Sequence, residues 1–239
     1  MEFKGKSVVF GTCRGRMAYY ENIDSMSLAQ MILMKNGVNC AELSSNTTYI
    51  HEGRESIKDD FLALDWPSHL CYIDSDNVLH PETVIRLMQH DVDIVSALYF
   101  KRNGAPEPVA FTWSDDDRDE YYSLCSEIRD FMVEHNMPGS PEPQCVDEDY
   151  NMLMEADVVG FGCVLIKREV LESMEEHYGP TQFGGHGEPL GEDAIWCKRA
   201  QDLGYKIHVD LGAHIGHITT KQISSAHFLL VPEWIKGER

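Results

Sequence analysis

Basic residues are scarce in this sequence: 20 Lys and Arg stand against 40 Asp and Glu, a formal net charge of −20 over 239 residues. That balance disfavours docking on phosphate backbones or anionic bilayers, although it leaves room for a local basic pocket. Long apolar runs are missing too, and none approaches the roughly 18 residues of a membrane span. The opening Met1-Glu2-Phe3-Lys4-Gly5-Lys6 leads straight into strand-like sequence and lacks the regions of a secretory signal. No C-x-x-C occurs among the seven cysteines, an odd number, which argues against a zinc site or a disulfide frame. The expectation is a cytoplasmic protein with reduced thiols. No internal repeat is present.

What remains is ample for a core, with 43% hydrophobic residues. Ser7-Val8-Val9-Phe10-Gly11 reads as a first strand, and apolar residues at helical spacing from Ser25 to Lys35 as a first helix. Val38 to Leu43 makes a second strand, Gly53 to Leu64 a second helix, and the apolar Leu70-Cys71-Tyr72-Ile73 a third strand. Pro81 opens a helix to about Gln89, and Asp93 to Ala97 is a fourth strand. Strands alternating with helices predict an α/β fold with a mainly parallel sheet flanked by helices.

That alternation breaks after Phe100. Residues 101–150 hold five of the ten prolines, the run Asp115-Asp116-Asp117 and one amphipathic helical pattern from Asp119 to Glu134. Residues 107–155 carry 14 Asp and Glu against 2 Arg, a net −12. This segment reads as an acidic insertion decorating a single domain. Residues 1–100 then form one half, 151–220 the other, and 221–239 a tail. In the second half, Gly160-Phe161-Gly162 opens a strand, Glu192-Asp193 opens a helix after a glycine-rich loop, and Tyr205 to Val209 closes the sheet ahead of His214-Ile215-Gly216-His217.

The third strand stops in Asp74-Ser75-Asp76. Carboxyl ends of strands in α/β sheets are where such folds bind ligands. Two carboxylates that close repel each other unless a cation lies beside them. An acidic turn capping the next helix is the simpler alternative. Glu192-Asp193 at a helix start could likewise serve only the helix dipole, worth roughly 0.3–1 kcal/mol. Aromatic residues such as Trp113 and Trp196 usually fill the core.

Taken in order, D-S-D, G-F-G-C-V-L-I, G-E-D-A-I-W-C and V-D-…-G-H-I resemble the GT-A fold of nucleotide-sugar glycosyltransferases. The likeness is to small family-2-like enzymes, many of them encoded by phages and large viruses. The resemblance implies a Rossmann-related, GT-A-like domain and a metal-dependent transfer from a nucleotide sugar, UDP-linked first, to an acceptor hydroxyl with inversion. It implies Mn²⁺ or Mg²⁺ held by Asp76 and His217, with His214 a competitor for the third place. Asp74 would contact ribose, sugar or metal. Asp193 would be the general base, with Glu192 binding hydroxyls beside it. Thr12 and Arg14 would meet base and ribose, and Arg54 the uracil or phosphates, although Glu55 stands where the related enzymes have asparagine. Gly160 and Gly162 would let the backbone approach the sugar, or serve only a tight turn. The Gly184–Gly187 loop could close over the donor.

The acceptor implied is a glycan, a peptide or a modified DNA base, and the acidic segment weighs against DNA. A non-catalytic nucleotide-sugar- or carbohydrate-binding protein on the same scaffold is a second reading. Asp74-Ser75-Asp76-Asn77-Val78 also fits the D-x-D-x-[TV] motif of haloacid-dehalogenase-type phosphatases. There, however, the motif belongs on the first strand.

Overall fold

A computed structural model describes residues 3–14, 19–102, 105–114, 118–137, 139, 142–145, 152–185 and 187–219. The Asp115–Asp117 run, much of the Pro138–Pro143 stretch, His186 and the 221–239 tail lie outside them.

In chain order the elements begin β1 (Ser7–Cys13), α1 (Tyr20–Lys35), β2 (Asn39–Ser45), α2 (Ile50–Leu62), β3 (His69–Ile73) and β4 (Asn77–Val78). Next come α3 (Thr83–Gln89), β5 (Ile94–Leu98), β6 (Ala110–Trp113), β7 (Tyr121–Ser123), α4 (Cys125–Glu134) and β8 (Gln144–Cys145). The chain continues through β9 (Leu153–Ala156), β10 (Val158–Val159), β11 (Cys163–Lys167) and α5 (Arg168–Tyr178). It closes with α6 (Glu192–Asp202), β12 (Ile207–His214) and β13 (Gly216–His217).

The main sheet runs β2-β1-β3-β11-β5-β12-β8, with β9 also on β12. β1, β2 and β3 are mutually parallel, as are β5 and β12, while β11 runs antiparallel between β3 and β5. Two parallel blocks are thus joined by a strand that arrives after the insertion. Both faces are covered, which is why the central strands read as unbroken apolar runs. Val9, Leu70 and Tyr72 face a core with Ile57, Phe61, Phe161 and Trp196. Their neighbours Val8, Phe10, Cys71 and Ile73 face another with Met26, Leu33 and Leu87. Fully burying each such side chain is worth about 1.5–3 kcal/mol, so β3 is among the best-anchored parts of the chain.

The first helix starts at Tyr20, five residues before the expected Ser25, and two expectations change more deeply. The helix expected over Asp119–Glu134 begins only at Cys125, because Tyr121 and Tyr122 are taken by β7. Tyr121 packs edge-on against Phe111 and Trp113 at 5.0 and 5.9 Å, and cross-strand aromatic contacts of this kind favour strand over helix. The closing strand runs on past Val209 to His214, with a register shift between Asp210 and His214. The shift centres on Gly212, where a Cβ would come within 2.3 Å of an Arg86 guanidinium nitrogen. Arg86 in turn grips buried Asp210 at 2.6 Å.

Candidate active site

Asp74 is the first residue beyond β3. Its amide donates to the Gly162 carbonyl at 3.2 Å and its carbonyl accepts from Asn77 at 3.0 Å, so the chain turns at once. Asn22 of α1, fully buried, fixes the same turn by donating to the carbonyls of Asp74 (3.1 Å) and Asn77 (2.7 Å). β13 then pairs with β4, setting His217 opposite Asn77, and the Ile218 amide donates to the Asp76 carbonyl at 2.7 Å. Backbone hydrogen bonding thus brings the aspartate turn and the last histidine together.

His217 Nδ1 lies 2.8 Å from the Phe100 carbonyl. A carbonyl can only accept, so Nδ1 carries the hydrogen, and Nε2 faces Asp76 Oδ2 at 3.5 Å. His214 points elsewhere: it is buried, its Nε2 is 2.7 Å from the Leu211 carbonyl, and burial pushes its imidazole down to about 4. Of the two histidines, His217 is the one in the cleft. That cleft holds about 280 Å³ and is lined by Cys13, Ile50, Asp74, Ser75, Asp76, Arg102 and His217.

The two aspartates are driven apart electrostatically. Burial raises Asp74 above the ordinary carboxylate value, opposed by Arg54 and reinforced by Asp76. Burial pushes Asp76 the same way, but hydrogen bonding and charge from His217, and the charge of Arg102, outweigh it and hold Asp76 low. Arg102 forms an ion pair with Asp76 Oδ2.

Arg54, only 3% exposed, is the hub between the two halves of the site. It donates to Asp74 Oδ1 at 3.2 Å and to Glu192 Oε1 at 2.8 Å, and its guanidinium lies 4.8 Å from the centre of the Phe161 ring. Glu192 and Asp193 form the first turn of α6 after Gly191, and the Asp193 carboxylate accepts from the Ala194 amide at 2.9 Å. Burial pushes Asp193 up to about 6, a shift that Glu192 reinforces and Arg54 opposes. A carboxylate there can change protonation near neutral pH, as a general base must. A second groove of about 500 Å³ shares Ile50 with the cleft and passes Tyr49, His51, Gly185 and Gly191 to Glu192.

The remaining sequence candidates fall differently. Thr12 is fully buried with its hydroxyl on Met26, facing away from the cleft, and it is the next residue, Cys13, that lines it. Arg14 pairs with Glu42 on β2. Arg54 meets the carboxylates of Asp74 and Glu192. Gly160 and Gly162 cover Tyr99: a Cβ on Gly160 would sit 2.0 Å from the Tyr99 hydroxyl, and one on Gly162 2.6 Å from its ring and 2.3 Å from Asn77 Nδ2. Their freedom serves this packing, and Tyr99 in turn sits edge-on to His217 at 5.7 Å. Trp196 is core, T-shaped on Phe161 at 5.2 Å. Cys13, Tyr99, Asn22 and Arg102 carried no motif in the sequence.

Gly162→Ala therefore places a methyl group inside buried side chains. It is expected to destabilise the fold by about 1–3 kcal/mol, read from the urea midpoint. A midpoint equal to wild type would show that the Tyr99 shelf yields freely.

Among the described residues, no three His, Cys, Asp or Glu side chains converge on a point where an ion could sit. Asp76 Oδ2 and the His217 Nε2 that faces it make an oxygen–nitrogen pair suited to Mn²⁺ or Mg²⁺, and substrate phosphates commonly complete such shells. Arg102 already puts positive charge on Asp76. Asp76 and His217 fit a divalent cation only where further ligands complete its coordination. No helix among the described residues is long and apolar enough to cross a membrane.

No protein-family model and no curated protein matches this sequence. Solved structures do match its fold. "A197 from STIV" aligns over 92% of this chain and 88% of its own, at 16% identity and a TM-score of 0.51. "GalNAc-T7 with UDP, GalNAc and Mn2+" aligns over 90% of this chain and 43% of its own, at 12% identity and the same TM-score. At such identities the likeness speaks of architecture. The chain has a GT-A-like fold: one domain whose mixed, mainly parallel sheet is flanked by helices.

Proposed function

We propose that this protein is a metal-dependent glycosyltransferase that moves a sugar from a nucleoside diphosphate, UDP in the first instance, to an acceptor hydroxyl with inversion. The observation that carries this reading is the backbone-enforced pairing of Asp76 with His217, in a cleft tied through Arg54 to the Glu192-Asp193 helix start. The scaffold alone would not carry it, because folds host many activities.

In this reading Asp76 and His217 hold the cation, which supplies charge neutralisation for the departing diphosphate. Asp74, fixed by Arg54, binds ribose or sugar hydroxyls. Asp193 takes the proton of the acceptor hydroxyl as that oxygen bonds to the anomeric carbon and the sugar–phosphate bond breaks, with the electron pair leaving on the diphosphate. Glu192 orients hydroxyls at the mouth of the neighbouring groove. The acidic surroundings favour a neutral or cationic acceptor such as a glycan or peptide over DNA. Hydroxymethylated DNA is expected to give no electrophoretic shift.

The test is a donor screen measuring UDP or GDP released from sugar nucleotides with Mn²⁺, joined to calorimetry. Asp76→Asn and His217→Ala are each expected to weaken Mn²⁺-dependent UDP binding at least about tenfold, the loss seen when metal sites are perturbed, while His214→Ala leaves it unchanged. Unchanged UDP affinity in Asp76→Asn would remove the metal assignment. A protein that binds donor yet releases no nucleoside diphosphate with any acceptor would be a binding protein.

A further inference from the structure

Two arginines face the carboxylates of the site, and they are held in opposite ways. Arg54 is 3% exposed, bonded to two carboxylates and stacked on Phe161. Arg102 is 46% exposed and meets Asp76 from the surface. Its neighbour Lys101 is engaged elsewhere, with Glu107 at 2.8 Å and with the face of Phe111. The same short stretch supplies the Phe100 carbonyl that orients His217. Residues 100–102 therefore fix one member of the candidate metal-binding pair and cover the other.

A guanidinium on Asp76 Oδ2 and a divalent cation on the same oxygen exclude each other by volume and by charge. We infer that Arg102 is a displaceable counter-ion: it neutralises Asp76 while no metal is bound, and turns to the donor's diphosphate when metal takes that carboxylate. This rests on the metal-dependent reading above and adds a coupling that the reading does not require. An exposed arginine can make the move by changing rotamer, and its planar fork suits phosphate oxygens as well as carboxylates. Arg54 cannot make that move without leaving two carboxylates and an aromatic ring. Metal alone must displace Arg102 into water, whereas metal with a diphosphate gives it a new partner. Each ligand then strengthens the other by the same factor, as linkage requires. The arrangement disfavours occupation of the site by metal without nucleotide.

The experiment measures Mn²⁺ binding from loss of the free-ion electron paramagnetic resonance signal, with and without saturating UDP, in wild type, Arg102→Gln and Asp76→Asn. Without UDP, Arg102→Gln is expected to bind Mn²⁺ about 3–10-fold more tightly than wild type. With UDP this advantage disappears or reverses, so the factor by which UDP strengthens Mn²⁺ binding drops at least about threefold, within the range of such couplings. Asp76→Asn is expected to lose Mn²⁺ binding in both conditions. Equal affinity and equal coupling in wild type and Arg102→Gln, with Asp76→Asn still defective, would overturn the counter-ion role and leave the metal site standing. Weaker binding by Arg102→Gln in both conditions would also overturn it, by making Arg102 a builder of the site. Undiminished binding in Asp76→Asn would overturn the metal site and this inference together.

Discussion

Asp193→Asn is expected to lower turnover by about 10²–10⁴-fold, the usual contribution of a positioned general base, while making the protein more stable. Both effects have one cause. Burial, with Glu192 adding and Arg54 opposing, pushes the Asp193 carboxyl up to about 6, so the ionised form is disfavoured in the folded chain. A folded-state value above the unfolded one means the native state binds the proton more tightly. Stability is then greatest below the unfolded value and falls as pH rises from about 4 to about 6. Asparagine has no charge to bury. At pH 7 the variant should gain about 1–2 kcal/mol, less than the full shift would give because Asp193 is partly exposed. Glu55 is also pushed up to about 6 by burial, so the comparison must be variant against wild type and not the wild-type pH curve alone. In wild type, kcat/KM should fall about tenfold per pH unit below about 6, since the base must be ionised. Denaturation at pH 7 and pH 4, with donor turnover across that range, checks all three. Turnover unaffected by the substitution would take the base away from Asp193, and a loss of stability at pH 7 would give that carboxylate a structural role.

Arg54→Met is expected to have the largest effect on folding, about 3–5 kcal/mol, because it removes the shared cation from a cluster of partly buried carboxylates. Asp74 at 3.2 Å and Glu192 at 2.8 Å lose their partner, and Asp193 loses the nearby positive charge that keeps its shift in check. Relief should come from acid, since protonated carboxyls no longer repel. The variant should therefore recover stability relative to wild type as pH falls from 7 to 5. Arg54→Lys keeps the charge but offers no fork, so it should lie between the two, with one of the two carboxylates released. Urea denaturation at both pH values reads this out. A destabilisation within about 0.5 kcal/mol, the range of an ordinary surface change, would show that the cluster is solvated and that Arg54 is not its hub.

The contrast between Arg54 and Arg102 shows what the sequence could and could not reveal. The apolar run ending in Asp74-Ser75-Asp76, and the Glu192-Asp193 pair at a helix start, are local patterns, and local patterns survive the loss of tertiary information. His217 was preferred to His214 only through the resemblance of its G-H-I context, which says nothing about contacts. What separates it from His214 is the pairing of β13 with β4, a contact between distant parts of the chain. Thr12 and Cys13 illustrate a one-residue ambiguity. Alternate residues of a strand face opposite sides, so choosing between them required knowing which face of β1 the cleft adjoins. Arg102 lies in a proline-rich stretch without periodicity, where nothing in the sequence marks which basic residue turns inward. The direction of β11 was equally hidden, since hydrophobic period does not encode whether a strand runs up or down.

That reversed strand governs how the molecule can come together. β3 and β5 do not pair with each other; both wait for β11, which pairs with them through Leu70 to Ile166 and Val95 to Leu165. The first hundred residues thus carry two of the sheet's central strands with a gap between them, filled only by chain that follows the whole insertion. Closing so long a loop is entropically unfavourable until the last contacts form, which makes late, all-at-once assembly the natural route. During synthesis a growing chain holds exposed strand edges until β11 has been made. The aspartate turn, anchored by its amide to Gly162 just ahead of β11, is shaped in the same late event that completes the sheet.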